Sequence, residues 1–294
     1  MSKKHPVIAV TGSSGAGTTT VKRAFEHIFF REKINAAVIE GDSFHSLSRV
    51  DFKAAVKKAE DEGNMSFSHF GPQSNHFDKL AELFETYGKT GSGKKRYYIH
   101  SDEEAAEHNK RLNTSLNPGE FTPWEDVPGG SDVLFYEGLH GLIKTDKVDV
   151  AQHVDLGIGV VPIVNLEWIQ KIHRDSAERG YAADVIVDTI LRRMPDYVNY
   201  VTPQFSRTDI NFQRVSTVDT SNPFISRDIP TPDESFIVIR FSDPKGVDFP
   251  YLLNMISNSF MSRRNTIVVP GAKMGFAMEL ILAPIIQDMI AQKK

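Results

Sequence analysis

Hydrophobic positions fall in two patterns along this chain. Short, nearly unbroken apolar runs occur at Val7-Ile-Ala-Val10, Ala36-Ala-Val-Ile39, Val133-Leu-Phe-Tyr136 and Asp155-Leu-Gly-Ile-Gly-Val-Val161. Runs of that length predict strands buried on both faces. Between them, apolar residues recur at helical spacing and predict helices from about Thr19 to Arg31, over 51–63 and 76–87, and over 165–179 and 183–193. The stretch 88–131 is polar and holds Gly88-Lys-Thr-Gly-Ser-Gly93 and Asn117-Pro-Gly119, so long loops with short elements are expected there. Beyond Pro195, strands are predicted at Val215 to Val218, Phe236 to Phe241 and Thr266 to Val269. A short helix near 249–257 and an amphipathic one over 275–292 accompany them. Alternating strands and helices predict an α/β fold, a mainly parallel sheet flanked by helices with extra strands and a C-terminal helix. No linker or repeat divides residues 1–294, which read as one domain. Residues 204–274 form either a sheet extension or a small subdomain.

Composition narrows the function classes. The formal charge is −4, and no basic block stands clear of acidic neighbours, so a nucleic-acid partner is not expected. Cysteine is absent, which removes disulfides, thiolate nucleophiles and thiol-based redox control. No run approaches the ~20 uninterrupted apolar residues of a membrane span, and Met1-Ser-Lys-Lys-His-Pro lacks a signal-peptide pattern. A cytoplasmic protein without a membrane partner is expected.

The chemistry starts at Gly12-Ser13-Ser14-Gly15-Ala16-Gly17-Thr18-Thr19, set between a buried strand and a helix. Glycines let the backbone curl until successive N–H groups point inward, and the helix dipole adds positive potential for a polyphosphate. Thr19 takes the hydroxyl position that ligates Mg²⁺ in such loops. The spacing is G-x₄-G-x-[ST], but Thr18 stands where a lysine is usual, so cationic charge for the β/γ-phosphates has to come from elsewhere. Asp42 ends the second strand, with His45 and Arg49 three and seven residues on. An acid, an imidazole and a guanidinium on one side suit a phosphorylated polyol, Asp42 taking the hydroxyl proton and Arg49 gripping a phosphate. The alternative is that Asp42 caps a helix. Glu137 ends the strand Val133-Leu-Phe-Tyr136 like a Walker B carboxylate that would serve Mg²⁺, and His140 nearby reads as a packed histidine. Lys171, Arg174, Asp175 and Arg179 share one helical face at about 100° per residue. Either they close over bound phosphates and supply the missing charge, or they are a solvated face of i,i+4 pairs.

In this order the segments GSSGAGTTT, EGDSFHSLSR, FYEGLHG, NLEWIQKIHRDSAERGY, QFSRTDINFQRV, DTSNPF and VVPG resemble the bacterial phosphoribulokinases over essentially the whole chain. The resemblance implies transfer of the γ-phosphate of ATP to the 1-hydroxyl of ribulose 5-phosphate, in the Calvin cycle. By motif position it implies Asp42 as general base, with Glu137, Asp175 and Thr19 serving Mg²⁺–ATP. It places His45, Arg49, Arg179 and His100 at the sugar phosphate, and Lys171 and Arg174 at the transferring charge. His69 is taken as structural. The resemblance further implies an octameric homo-oligomer, activation by NADH and inhibition by AMP, with Arg31, Arg240 and Arg263 as effector residues. Residues 101–117 match the family poorly and read as an insertion. Two other readings stay open, a uridine- or pantothenate-kinase-like enzyme and a catalytically inactive nucleotide-binding regulator suggested by Thr18.

Overall fold

Five parallel and three antiparallel strands share one sheet in the computed structural model, which describes residues 4–12, 18–161, 163–225 and 228–292. The strands are β1 (Val7–Gly12), β2 (Ala36–Glu40), β3 (Lys94–Lys95), β4 (Glu125–Asp126), β5 (Val133–Gly138), β6 (Leu156–Val161), β7 (Ile210–Ser216), β8 (Ser235–Phe241), β9 (Phe260–Arg263) and β10 (Thr266–Pro270). The helices are α1 (Thr18–Glu32), α2 (Arg49–Asp61), α3 (Phe77–Thr90), α4 (Asp102–Leu112), α5 (Val164–Arg179), α6 (Ala183–Asp196), α7 (Phe249–Met255) and α8 (Met274–Ala291). Sheet order is β2-β5-β1-β6-β7-β8-β10-β9, parallel as far as β7 and antiparallel beyond it, while β3 and β4 form a separate short ladder. Parallel strands need helical crossovers, which is why the apolar runs of β1, β5 and β6 are covered on both sides.

On one face, Ile8, Val10, Phe135, Ile158, Phe212 and Ile239 pack against Phe25 and Ile28 of α1 and Met278, Ile281 and Leu282 of α8. On the other, Val7, Ala9, Leu134 and Tyr136 meet Leu80, Leu83, Phe84 and Tyr87 of α3. The segment Gly271–Ala291 is long and apolar enough to cross a membrane by length and composition. Its residues Ala277, Met278, Leu282 and Ile286 are nevertheless wholly or almost wholly buried in the core beside α1. A core helix fulfils that criterion because it is apolar over most of its circumference.

Three local expectations differ from the structure. Helix α4 lies inside the stretch read as loops; Ser101 caps it by accepting from the Glu104 N–H, three acids occupy its first turn, and Asn113 closes it at φ 54°. Only Ala105 of this helix is buried, so it has no apolar stripe to reveal it. The strand expected at Val215 to Val218 is β7, starting at Ile210, because its pairing with β6 and β8 sets its extent. Strand β9 is a short edge with mostly exposed side chains and was not expected.

Buried Gln204 joins the layers. Its Oε1 accepts from Thr11 Oγ1 (3.2 Å) and Leu142 N (3.0 Å), and its Nε2 donates to the carbonyls of Leu139 (2.8 Å) and Tyr200 (2.7 Å). With all of these made, the end of β1 is fixed to the loop after β5, at the edge of the site.

Candidate active site

The site gathers at the carboxyl ends of the parallel strands, where α/β sheets leave a crevice. Gly12 ends β1 against β6; a Cβ there would come 2.7 Å from the Val160 carbonyl oxygen, so only glycine lets the two strands run side by side into the phosphate loop. Ser13, Ser14, Gly15, Ala16 and Gly17 lie outside the described residues. Thr18 and Thr19 begin α1, immediately beyond that loop; their side chains, like that of Arg179, lie outside the description.

Asp42 sits in a single 3₁₀ turn, Gly41–Phe44, directly after β2. Gly41 and Gly138 press together, and a Cβ on Gly138 would lie 2.6 Å from the Gly41 Cα and 2.7 Å from the Tyr136 hydroxyl. This close approach seats the Asp42 turn beside the end of β5 that carries Glu137. The Asp42 side chain is 48% exposed into the crevice although the surrounding chain encloses it, and His45 Nε2 stands 3.4 Å from Oδ1. Burial pushes the Asp42 carboxyl up, but the bond from His45 and positive charge from His45 and His100 outweigh it and bring the pKa to about 2. His45 moves the other way: burial lowers it, while the Asp42 carboxylate and the bond to Asn75 raise it above its ordinary value.

Several side chains hold this turn. Arg96 donates from Nε to the Ser43 carbonyl (2.7 Å) and from Nη2 to the His45 carbonyl, with its guanidinium over the rings of Phe121 (3.8 Å) and Trp124 (4.6 Å). Burial lowers Arg96 to about 10, so it stays charged at neutral pH. His69 stacks on Phe52 at 3.4 Å and lies 5.2 Å from His45; burial, then the charges of Arg193 and His45, lower it to about 2. His100 stands edge-on to Tyr98, and its charge bears on Asp42. Arg49 opens α2 with its N–H on the Gly119 carbonyl (2.8 Å) and its side chain over Gly119. Its guanidinium has no hydrogen bond or ion pair to a described residue.

Glu137 faces α1. Burial raises its carboxyl to about 7, against the pull of Lys22 and with help from the negative charges of Glu40 and Asp42. Lys22 pairs with Glu40 at 3.7 Å. A buried acid short of positive charge, at the mouth of a phosphate loop, fits a hard divalent cation. Among the described residues no three histidine or carboxylate groups cluster as a metal site. That arrangement suits Mg²⁺, which takes one or two carboxylates and completes its shell with water and phosphate oxygens.

Helix α5 leaves the end of β6 beside the end of β1. Lys171 bonds Asp175 Oδ2, and Arg174 reaches Oδ1 at 3.0 Å, so both oxygens of this buried carboxylate are engaged by cations. Lys171 is lowered by burial and by Arg193, against the pull of Asp175; Asp175 is lowered by these two cations despite its burial. The charge of Lys171 is felt at His69, and that of Arg193 at His45, His69 and Lys171. The two groups of the site therefore lie within electrostatic reach of each other. Arg193, Arg96 and Asn75 escaped the sequence reading. Arg193 had a weak signal in the Arg192-Arg193 pair of a helix, whereas Arg96 and Asn75 act through backbone contacts that leave no pattern in sequence.

Of the three effector candidates, Arg240 and Arg263 flank Thr266 of β10 on its two sides, and Arg31 lies elsewhere. Arg31 on α1 bonds Glu32 (2.8 Å) and Glu279 of α8 (3.2 Å). Arg240 projects from the opposite face of the sheet, since Ile239 and Phe241 beside it point into the α1–α8 core. Arg263 is exposed on β9.

Comparison with known proteins converges on one group. A family model described as "Phosphoribulokinase / Uridine kinase family" matches residues 7–221. The chain is 60% identical over 294 residues, covering 100% of it and 99% of the relative, to a phosphoribulokinase of Nitrobacter vulgaris. It is 59% identical, with the same coverage, to the chromosomal phosphoribulokinase of Cupriavidus necator. Its structure is similar to that of the phosphoribulokinase from Rhodobacter spheroides, with a TM-score of 0.90, 52% identity and 99% of both chains covered.

Proposed function

Because the chain belongs to the phosphoribulokinase/uridine kinase family, we propose that it transfers the γ-phosphoryl group of ATP to the 1-hydroxyl of ribulose 5-phosphate, giving ribulose 1,5-bisphosphate and ADP for carbon fixation. The observation that carries this reading is 60% identity to a phosphoribulokinase from end to end. The site chemistry agrees with it. Asp42 takes the proton of the attacking hydroxyl, and its low proton affinity suffices because phosphoryl transfer is loose and that proton leaves late. Arg49, whose guanidinium has no partner among the described residues, grips the 5-phosphate with Arg179, and His45 and His100 orient the sugar. A nucleoside offers no phosphate to these arginines, which disfavours a uridine acceptor.

Glu137, with Thr19, would hold Mg²⁺, which would supply positive charge to the nucleotide phosphates. Asp175 contributes by presenting Lys171 and Arg174, which take the place of the ammonium absent at Thr18. An octamer activated by NADH and inhibited by AMP accords with the likeness to the bacterial enzymes. Arg31 and Arg240 lie on opposite sides of the sheet of one chain; an effector touching both needs a second copy.

ADP release coupled to a reporter reaction tests the assignment, with ribulose 5-phosphate, uridine or no acceptor present. Turnover only with the pentulose phosphate is expected. ADP release only with uridine, or ATP binding without acceptor-dependent turnover, would refute it.

A further inference from the structure

Asn75 is 92% buried, with 8% of its surface exposed, and bonds the ring of His45 behind the Asp42 turn. Its orientation is unambiguous. Nδ2 donates both hydrogens, to the carbonyls of His69 (2.8 Å) and Gly71 (2.8 Å). Rotating the amide would set its oxygen against two carbonyl oxygens. Oδ1 therefore faces His45 Nδ1 at 2.8 Å, and an amide oxygen only accepts. His45 must carry a hydrogen on Nδ1. In the neutral ring the lone pair then sits on Nε2, which points at Asp42 Oδ1 from 3.4 Å. Two acceptors confront each other there with no hydrogen between them. A single proton turns that repulsion into a charge-assisted bond.

We propose that Asn75 is a positioning residue that locks His45 as its Nδ1–H tautomer, so that Asp42 and His45 act as one proton-accepting unit. This rests on the reaction assigned above. In the step, the O–H bond of the sugar alcohol breaks and its oxygen bonds the γ-phosphorus. The bridging P–O bond breaks with its electron pair leaving on ADP. The proton passes to Asp42 and ends shared between Oδ1 and His45 Nε2, from which it is lost to water after the product departs. The unit accepts a proton only when it does not already hold one. Activity consequently rises with pH through the macroscopic titration of the pair.

Glu137, at the end of β5, is coupled to Asp42 and is raised to about 7, so the test compares variant with wild type, in which Glu137 is the same. His69, from the segment before Asn75, and His140, from the loop after β5, are held neutral by burial. Arg193 from α6 opposes protonation of His45, Lys171 from α5 bears on His69, and His100 bears on Asp42.

Nitrogen-15 spectroscopy of histidine rings in the whole protein at alkaline pH tests this directly. Nδ1 of His45 is expected to resonate as the protonated nitrogen and Nε2 as the bare one; the reverse assignment would overturn the proposal. The pH profile of kcat/KM supplies the second measurement. In Asn75→Ala the ring is free to turn its hydrogen toward Asp42, and the added proton loses its support. The activity of the variant relative to wild type should be about tenfold greater at pH 6 than at pH 9, the factor carried by one net hydrogen bond to a charged group. A residue with a purely structural role would give the same ratio at both values, and that result would overturn the proposal. Should Asn75→Ala not fold, the wild-type tautomer decides alone. Absence of turnover with ribulose 5-phosphate would refute the reaction assigned above, and the ring tautomer would still be read independently.

Discussion

Asp42 touches the reacting oxygen in the proposed mechanism, whereas Arg49 touches only the phosphate that does not react. Their variants should fail differently. Asp42→Asn should lower kcat by about 10²–10⁴ with ATP affinity nearly intact, the range of a general base; stopped-flow turnover with a nucleotide-binding titration separates the two quantities. For Arg49→Ala, KM for the sugar phosphate should rise more than kcat falls, since a contact equal in ground and transition states is lost. The packed histidines make a third prediction. His69 and His140 are lowered by burial to about 2 and about 3, while in the unfolded chain they titrate at their ordinary value, near 6.5. Below pH 6.5 only the unfolded state gains those protons, so stability is full above 6.5 and is lost as pH falls, by about 1.4 kcal/mol per pH unit for each ring. His45, raised on folding, has the opposite sign: its contribution is full below 6.5 and is lost as pH rises through its folded value. Among the described residues, neither ring nitrogen of His140 meets the geometry of a hydrogen bond. His140→Leu should thus fold, and between pH 6.5 and pH 5 should lose about 2 kcal/mol less unfolding free energy than wild type in urea titrations.

At the scale of elements, the contact between Gly41 and Gly138 sets how the Asp42 turn meets the end of β5. Gly138→Ala inserts a Cβ 2.6 Å from the Gly41 Cα, where only backbone and the Tyr136 hydroxyl could yield. Overpacking there should cost about 1–3 kcal/mol in stability. It should also reduce kcat by about 10²-fold, because a ~1 Å displacement of a reacting group costs that much. Measuring both on one preparation distinguishes displacement of the turn from general unfolding. The sequence made the parallel strands and their terminal residues legible, because Gly12, Asp42 and Glu137 each follow an apolar run directly. It did not reveal α4, whose residues are nearly all exposed, nor the start of β7, which depends on its neighbours. Arg96 and Asn75 were illegible for a related reason: their partners are backbone carbonyls and one ring from distant segments, and only the folded chain brings these together.

For the molecule as a whole, the departure at Thr18 from the usual lysine poses the central problem of charge. Lys171 and Arg174 stand on a helix that leaves the sheet next to the end of β1, with one buried carboxylate aligning both. Arg193 stands within electrostatic reach of both Lys171 and His45, linking that helix to the acceptor side. In the proposed mechanism, cations from α5 meet the requirement that the loop ammonium meets in other kinases of this kind, stabilising charge on the transferring group. The most direct test is single-turnover phosphoryl transfer in Lys171→Met at saturating ATP and ribulose 5-phosphate. The rate should fall by about 10²–10³-fold while the Kd for ATP changes little, as expected for charge stabilisation confined to the transition state. A rate within threefold of wild type, roughly 0.7 kcal/mol or less, would contradict the assignment of that charge to α5.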